Sequence, residues 1–245
     1  MTAIVLIPAR MAARRLPGKP LADIAGTPMI VRVLRQAEGA GVGRVVVAAG
    51  DREIVEAVRR TGGEAVMTDP ALASGSDRIL AALAQLDPDR RFETVVNLQG
   101  DVPFVDPPLI AACVAPLAAG PACDIATLVA AESGPEDRTN PDVVKAVIAL
   151  APGGRGGRAL YFTRSTLHGP GPVWRHIGIY GYRREALERF HAAPPSPLER
   201  RERLEQLRAL EIGLTIWATV APVAPMSVDT PADLAAARAF AEKNP

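Results

Sequence analysis

The chain is poor in the residues that most often announce chemistry. Only two cysteines occur in 245 residues, Cys113 and Cys123, and they do not form a C-x-x-C pair. That excludes a cysteine zinc site and a disulfide scaffold; their small, apolar neighbours make both buried spectators. The three histidines, His168, His176 and His191, are scattered, so no His/Cys zinc cluster exists. His168 lies in a Gly/Pro loop and is expected to be exposed. Charge of one sign is also lacking: 28 Lys+Arg against 27 Asp+Glu leave +1. A general nucleic-acid surface needs a basic excess, so no nucleic-acid partner is expected. The first apolar run is too short for a signal-peptide core or a membrane span, and no basic segment precedes it. A soluble cytoplasmic protein with no membrane partner is the expectation. Finally, neither G-x-x-x-x-G-K-[ST] nor G-x-G-x-x-G is present, which argues against a P-loop and against a dinucleotide-binding Rossmann site.

What is there starts with the first 21 residues, MTAIVLIPARMAARRLPGKPL. Ala3-Ile4-Val5-Leu6-Ile7 reads as a buried parallel strand that stops at Pro8. Four cations follow on a loop: Arg10, Arg14, Arg15 and Lys19. Ligands of open α/β sheets bind at the carboxyl ends of strands, so this loop is placed to receive a polyanion. Gly18 is the only glycine between residues 8 and 25, so side chains must share the neutralisation with backbone N–H groups. At an effective dielectric near 20, one cation about 4 Å from a unit anion contributes about 4 kcal/mol before desolvation. Arg10, Arg15 and Lys19 together suit a triphosphate. A solvated basic loop is the bland alternative.

Apolar residues make up 48% of the chain, enough for a sizeable core. The first half alternates strands and helices. Strands are expected at 44–48, 65–67 and 93–98. Helices are expected after Thr27 (as N-cap, with Pro28 at the first helical position), at 51–59, at 77–86 and at 108–117. This is the rhythm of a parallel sheet with helices on both faces. After about residue 122 the rhythm breaks into strands at 125–130, 143–150, 159–163 and 177–182. The stretch 151–158 reads as a turn or hairpin tip. A helix at 198–210, a strand at 214–220 and a helix at 232–242 close the chain. The fold class expected is α/β, a mostly parallel sheet with a mixed α+β insertion. One domain, 1–245, would carry the insertion at about 123–197.

Candidate site residues follow from these placements. Asp101 follows the 93–98 strand and should sit at the sheet's carboxyl edge. Asp229 precedes Thr230-Pro231, where Thr230 can N-cap the last helix and Asp233 can complete a capping box. Two carboxylates at strand-to-helix turns can converge on one ligand; on spacing alone, each is as readily a turn or cap residue. In a strand over 175–183, His176, Gly178, Tyr180 and Tyr182 share one face. His176 and Tyr180 are therefore candidate hydroxyl readers, or core residues. Glu205 and Gln206 lie on a helix whose Leu204, Leu207 and Leu210 face the core; a solvated face is the default for them.

These strings carry a resemblance. IPARMAARRLPGKPL resembles the start of the 3-deoxy-manno-octulosonate (Kdo) cytidylyltransferases, or CMP-Kdo synthetases. The likeness continues through SGSDR (74–78), NLQGDVP (97–103), NPDVVKAV (140–147), ALYFTRS (159–165), RHIGIYGYR (175–183), PSPLE (195–199), LEQLR (204–208) and VDTPADL (228–234). Each string is weak alone; the ordered set is specific. The resemblance implies a nucleotide-diphospho-sugar transferase-like fold and a cytidylyltransferase that joins CTP and Kdo into CMP-Kdo and pyrophosphate, for lipopolysaccharide synthesis. It implies Mg²⁺ held by Asp101 and Asp229, with Arg10 and Lys19 on the β- and γ-phosphates. It implies cytosine or ribose contacts from Ser74, Arg78 and the backbone near Ala9, and Gln99 between nucleotide and sugar. Glu205 and Gln206 would line the sugar pocket with His176 and Tyr180. Arg164 would face the sugar carboxylate or serve a structural ion pair. A homodimer through the inserted region is implied as well.

The chain departs from the family's usual pattern at Ala13-Arg14 (commonly Ser-Thr), Ala49-Gly50 (commonly Thr-Asp), Ser76 (Thr) and Val102 (Glu). These bear on base selectivity and on the sugar more than on the reaction class. The alternatives are therefore a cytidylyltransferase for 8-amino-Kdo or an acylneuraminate, and a non-catalytic nucleotide-sugar sensor.

Overall fold

The computed structural model describes residues 2–12, 15–119 and 122–244. In chain order the elements are β1 (Ala3–Ala9), β2 (Asp23–Ile24), β3 (Thr27–Pro28), α1 (Met29–Gly39), β4 (Arg44–Ala49), α2 (Arg52–Arg59), β5 (Ala65–Met67), α3 (Gly75–Leu86), β6 (Thr94–Asn97) and α4 (Pro107–Ala118). There follow β7 (Ile125–Ala131), β8 (Lys145–Leu150), β9 (Gly156–Thr163), β10 (Trp174–Arg183), α5 (Arg184–Ala192), α6 (Pro197–Glu202), α7 (Gln206–Glu211), β11 (Ile216–Ala221) and α8 (Pro231–Lys243). The chain forms two compact units. One is Met1–Ala111 with Pro225–Pro245; the other, Ala112–Ala224, contains the 123–197 stretch. Among the described residues no helix is long and apolar enough to cross a membrane.

In the first unit β5, β4, β1 and β6 lie side by side, all parallel. β1 runs between β4 and β6, and Ile4, Val5, Leu6 and Ile7 are fully buried. A strand covered on both faces must be apolar throughout, which is why this run does not alternate. Each such side chain contributes about 1.5–3 kcal/mol on burial. Because the strands are parallel, the residues that follow β1, β4 and β6 emerge at one edge. Helix α1 presents Met29, Ile30, Val31, Val33, Leu34 and Ala37 to the core. Helix α8 packs Leu234, Ala237 and Ala241 with Ile24, Met29 and Val228.

In the second unit β10 and β7 are antiparallel, β7 and β11 parallel, and β11, β9 and β8 antiparallel in turn. The first residues of β10 also pair with β8, Trp174 with Ala146 and Arg175 with Lys145, so the sheet curls back on itself.

Several elements differ from the sequence expectation. Thr27 does not cap α1. Thr27–Pro28 is a strand paired with Asp23–Ile24 across a turn at Ala25 and Gly26, both at positive φ, and Pro28 is the residue before the helix. A two-residue turn with positive φ at both positions matches the strand twist of a hairpin. The helix expected at 198–210 is two helices, because Arg203 adopts φ 57 and ends α6. Strand β9 already starts at Gly156, inside the stretch 151–158 that reads as a tip. Helix α5 is an addition to the expected elements, although Ala186, Leu187 and Phe190 give it a buried stripe.

The start of the β1–β4 ladder depends on close backbone approach at Gly43. A Cβ there would lie 2.1 Å from the Ala3 carbonyl oxygen. Gly43→Ala is expected to cost at least ~2 kcal/mol through overpacking, read as a lowered urea midpoint with an unchanged m-value.

Candidate active site

The loop after β1 is held by backbone bonds before any ligand is considered. Gly50 N–H donates to Ala9 O (2.8 Å) and Gly18 N–H to Met11 O (3.1 Å). Met11 N–H donates to Asp51 Oδ2 (2.7 Å). Asp51 is the N-cap residue of α2, yet its side chain does not cap that helix; it reaches across to the loop instead. Ala13 and Arg14 lie outside the described residues.

Lys19 opens a single 3-10 turn, Lys19–Leu21. Its ammonium donates to Asp101 Oδ2 and to Asp229 Oδ1, both at 2.9 Å. Arg15 Nη2 lies 3.2 Å from Asp229 Oδ2. Two carboxylates distant in sequence thus converge on one cation. Val228 N–H donates to Asp101 O (2.9 Å), which lays the two segments together. Asp229 itself is fixed by the cap of α8. Thr230 Oγ1 accepts from Asp233 N–H, while Asp233 Oδ2 accepts from Asp229 N–H (3.0 Å) and Thr230 N–H (2.8 Å). Burial opposes the Asp233 charge, but the hydrogen bonds from Thr230 and Asp229 and the charge of Arg15 outweigh it, so its pKa falls below the usual carboxylate range.

Above these groups lies a cavity of about 440 Å³ lined by Ala9, Arg10, Lys19, Gln99, Gly100 and Asp101. A smaller one, about 120 Å³, shares Ala9, Arg10 and Gln99 and adds Leu72, Ser74 and Arg78. Gln99 Nε2 donates to Asn97 Oδ1 (3.1 Å). Ser74 N-caps α3 and accepts from Asp77 N–H (3.0 Å). Arg78 is 2% exposed. Its Nη1 donates to Thr68 Oγ1 (2.6 Å) and Asp69 O (3.1 Å), and its Nη2 has no hydrogen-bond partner among the described residues. Burial lowers its pKa, the charge of Arg10 adds to that, and Asp51 and Asp69 oppose it. The first unit therefore gathers Ala9, Arg10, Arg15, Lys19, Ser74, Arg78, Gln99, Asp101 and Asp229 at one sheet edge. Val102, where a carboxylate is usual in the resembled family, is buried.

The donor set also fits a divalent cation. Mg²⁺ takes one or two carboxylates and completes its shell with phosphate oxygens and water. Asp101 and Asp229 already share one positive group, and among the described residues no group of three or more His, Cys, Asp or Glu forms an all-protein cage.

In the second unit β10 carries a bulge between Ile177 and Tyr180. Two residues are inserted, so side-chain parity is kept and His176, Tyr180 and Tyr182 still share a face. Their rings form a row: His176–Tyr180 5.3 Å, Tyr180–Tyr182 5.8 Å, with Phe162 5.0 Å from His176. Thr127 Oγ1 lies 3.0 Å from His176 Nε2 and donates to Ile179 O (2.8 Å). A hydroxyl whose hydrogen goes to a carbonyl can only accept from the ring, which assigns the proton to Nε2 and leaves Nδ1 as an acceptor. Burial lowers the His176 pKa to about 3 and raises those of Tyr180 and Tyr182, with Glu205 adding to both. Glu205 precedes α7, and Gln206, its first residue, is buried.

Arg164 follows β9. Its backbone is gripped on both sides: Arg164 N–H donates to Glu202 Oε2 (3.0 Å) and its carbonyl accepts from Lys145 Nζ (2.8 Å). Its Nη1 donates to Pro141 O (3.0 Å). Asp51, Thr127, Lys145 and Glu202 are supporting residues to which sequence reasoning gives no such role, whereas the capping role expected of Asp233 is the one it plays. The buried Lys in NPDVVKAV, a charge inside an apolar strand, is the signal that could have found one of them. Both cysteines are buried free thiols.

A family model described as cytidylyltransferase matches residues 4–216. A protein of Parvibaculum lavamentivorans named 3-deoxy-manno-octulosonate cytidylyltransferase is 59% identical over 96% of this chain and 91% of its own length. The chain belongs to the 3-deoxy-manno-octulosonate cytidylyltransferase family. A second cytidylyltransferase of that name, from Paramagnetospirillum magneticum, is 56% identical over 98% of both chains. A solved structure of CMP:2-keto-3-deoxy-manno-octonic acid synthetase complexed with CTP matches all of both chains, with a TM-score of 0.92 and 36% identity. The 4-diphosphocytidyl-2C-methyl-D-erythritol synthase of Anaerococcus prevotii, 12% identical with a TM-score of 0.65, shares the fold alone. The α/β class expected for a cytidylyltransferase is thus the one found.

His176 generates a prediction. Unfolded, its pKa is near 6.5; folded, it is about 3. Between those values only the unfolded chain takes the proton, so stability falls as pH drops through this window. His176→Gln is expected to flatten the decline of Tm between pH 6.5 and 4, measured by calorimetry in matched buffers.

Proposed function

We propose that the chain transfers a cytidylyl group from CTP to the anomeric 2-hydroxyl of Kdo, releasing pyrophosphate and CMP-Kdo. The observation that carries this reading is the convergence of Asp101 and Asp229 on Lys19 at the mouth of a cationic cavity. The names of the relatives and of the CTP-bound neighbour support it.

The 2-hydroxyl attacks the α-phosphorus in line and pyrophosphate leaves, a reaction that needs positioning and charge stabilisation more than covalent help. Arg10, Arg15 and Lys19 bind the triphosphate and stabilise the leaving pyrophosphate. Asp101 and Asp229 would hold Mg²⁺, which when bound would supply polarisation of the α-phosphate and a lowered pKa for the attacking hydroxyl. Ser74, Arg78 and the Ala9 backbone take the nucleoside, and Gln99 contacts nucleotide and sugar. His176, neutral with Nδ1 as acceptor, orients a sugar hydroxyl beside Tyr180, with Glu205 and Gln206 as further hydroxyl partners and Arg164 on the sugar carboxylate. The protein works in the cytoplasm, in keeping with its free thiols, as a homodimer through the second unit, where Leu150 and Leu160 are exposed.

The test is pyrophosphate release from CTP with Mg²⁺ and Kdo, with 8-amino-Kdo and neuraminate in parallel. Kdo is expected to be the substrate turned over fastest; no release with any sugar acid overturns the reading and favours a sensor. Asp101→Asn is expected to lower turnover at least ~10²-fold at saturating Mg²⁺, the scale of one lost electrostatic stabiliser. Near wild-type turnover removes the metal assignment.

A further inference from the structure

Gly50 follows β4, at the position where the resembled family commonly carries aspartate. Its φ is not in the left-handed region, so its backbone suits any residue. Only a neighbour excludes a side chain. A Cβ built on Gly50 would lie 2.8 Å from Arg78 Nη1, 3.1 Å from Cζ and 3.2 Å from Nη2, and these are its three nearest atoms. The guanidinium therefore occupies the space that a Gly50 side chain would take.

Two neighbours fix its plane. Thr68 Oγ1, which donates to Ala49 O (2.9 Å), accepts from Arg78 Nη1, and Asp69 O accepts from the same nitrogen. The other arm, Nη2, is buried without a hydrogen-bond partner among the described residues, in a residue that lines the 120 Å³ cavity with Pro8, Leu72, Ser74 and Gln99. A buried guanidinium N–H left unpaired is costly, and one that meets an acceptor makes a charge-assisted bond. A cavity that sets Pro8 and Leu72 beside the donors of Arg78 and Gln99 suits a small ring that carries carbonyl acceptors.

We propose that Gly50 is a positioning residue for nucleotide recognition: by having no side chain it lets Arg78 lie where Nη2 donates to an acceptor on the pyrimidine ring of the bound nucleotide. This rests on the CTP reading above. It assigns to Gly50 a task that the usual aspartate does not perform in the same way, because any Cβ at this position must displace the guanidinium.

The experiment compares wild type, Gly50→Ala, Arg78→Lys and the double variant in pyrophosphate-release kinetics, with CTP binding measured by calorimetry. Gly50→Ala is expected to raise the CTP KM and Kd about tenfold, the scale of one lost charged hydrogen bond, while kcat at saturating CTP stays within about threefold and the KM for the sugar is unchanged. Lysine has no Nη atoms to collide with, so in the Arg78→Lys background the alanine is expected to add nothing. An unchanged CTP KM in Gly50→Ala overturns the inference. So does an alanine effect that persists undiminished in the Arg78→Lys background. If Gly50→Ala fails to fold, recovery of folding in the double variant supports the steric link to Arg78, and continued failure overturns it. Wild-type protein that neither binds nor turns over CTP removes the functional reading, and this inference with it.

Discussion

Lys19 gathers two carboxylates that lie 82 and 210 residues away in sequence. Two carboxylates brought to one ammonium would repel each other without that cation between them. The Lys19 side chain is 14% exposed, so its attraction is screened less than that of a surface pair. Everything around it serves this meeting. Parallel pairing of β1 and β6 brings the Lys19 loop and Asp101 to one edge. The Val228–Asp101 backbone bond and the capping box of α8 bring Asp229 to the same place. A cavity lined by Arg10, Lys19 and Asp101, with Asp229 and Arg15 paired beside it, suits a ligand that brings its own negative charge and a divalent ion.

The second unit solves a different problem, how to hold polar groups still inside a curled sheet. Lys145 is fully buried, and its ammonium donates to the backbone carbonyls of Asn140 and Arg164. Glu202 collects Tyr161, Thr163 and the Arg164 N–H. Burial raises the cost of both charges, and the hydrogen bonds offset it. The result is a rigid connection after β9 and a row of rings on β10 whose ionisation is suppressed by burial. His176 stays neutral because the fold dries it.

Much of this is legible in the sequence. The apolar β1 run, the βαβ rhythm, the change of pattern after residue 122 and the cap at Thr230 all depend on local preferences and short periods. The fold class and the family likewise follow from ordered motifs. What the sequence misleads about involves competition between local and distant partners. Pro28 has the character of a first helical residue, but Thr27 and Pro28 find strand partners in Asp23 and Ile24. The helical pattern over 198–210 is real on both sides of Arg203, and nothing in the identity of that residue announces its positive φ. Asp51 has the identity and place of a helix cap, yet the loop's Met11 N–H takes its carboxylate.

By itself, the sequence determined the class of fold, the chemistry of the loop after the first strand and the family of the chain, because these depend on residue identity and order. Tertiary structure decided which carboxylates share Lys19, which proton His176 keeps, and that Arg78 lies buried against Gly50 with one arm unpaired among the described residues. Those depend on distances between segments far apart in the chain, and on how burial changes the cost of charge. Neither quantity is written in the order of the residues.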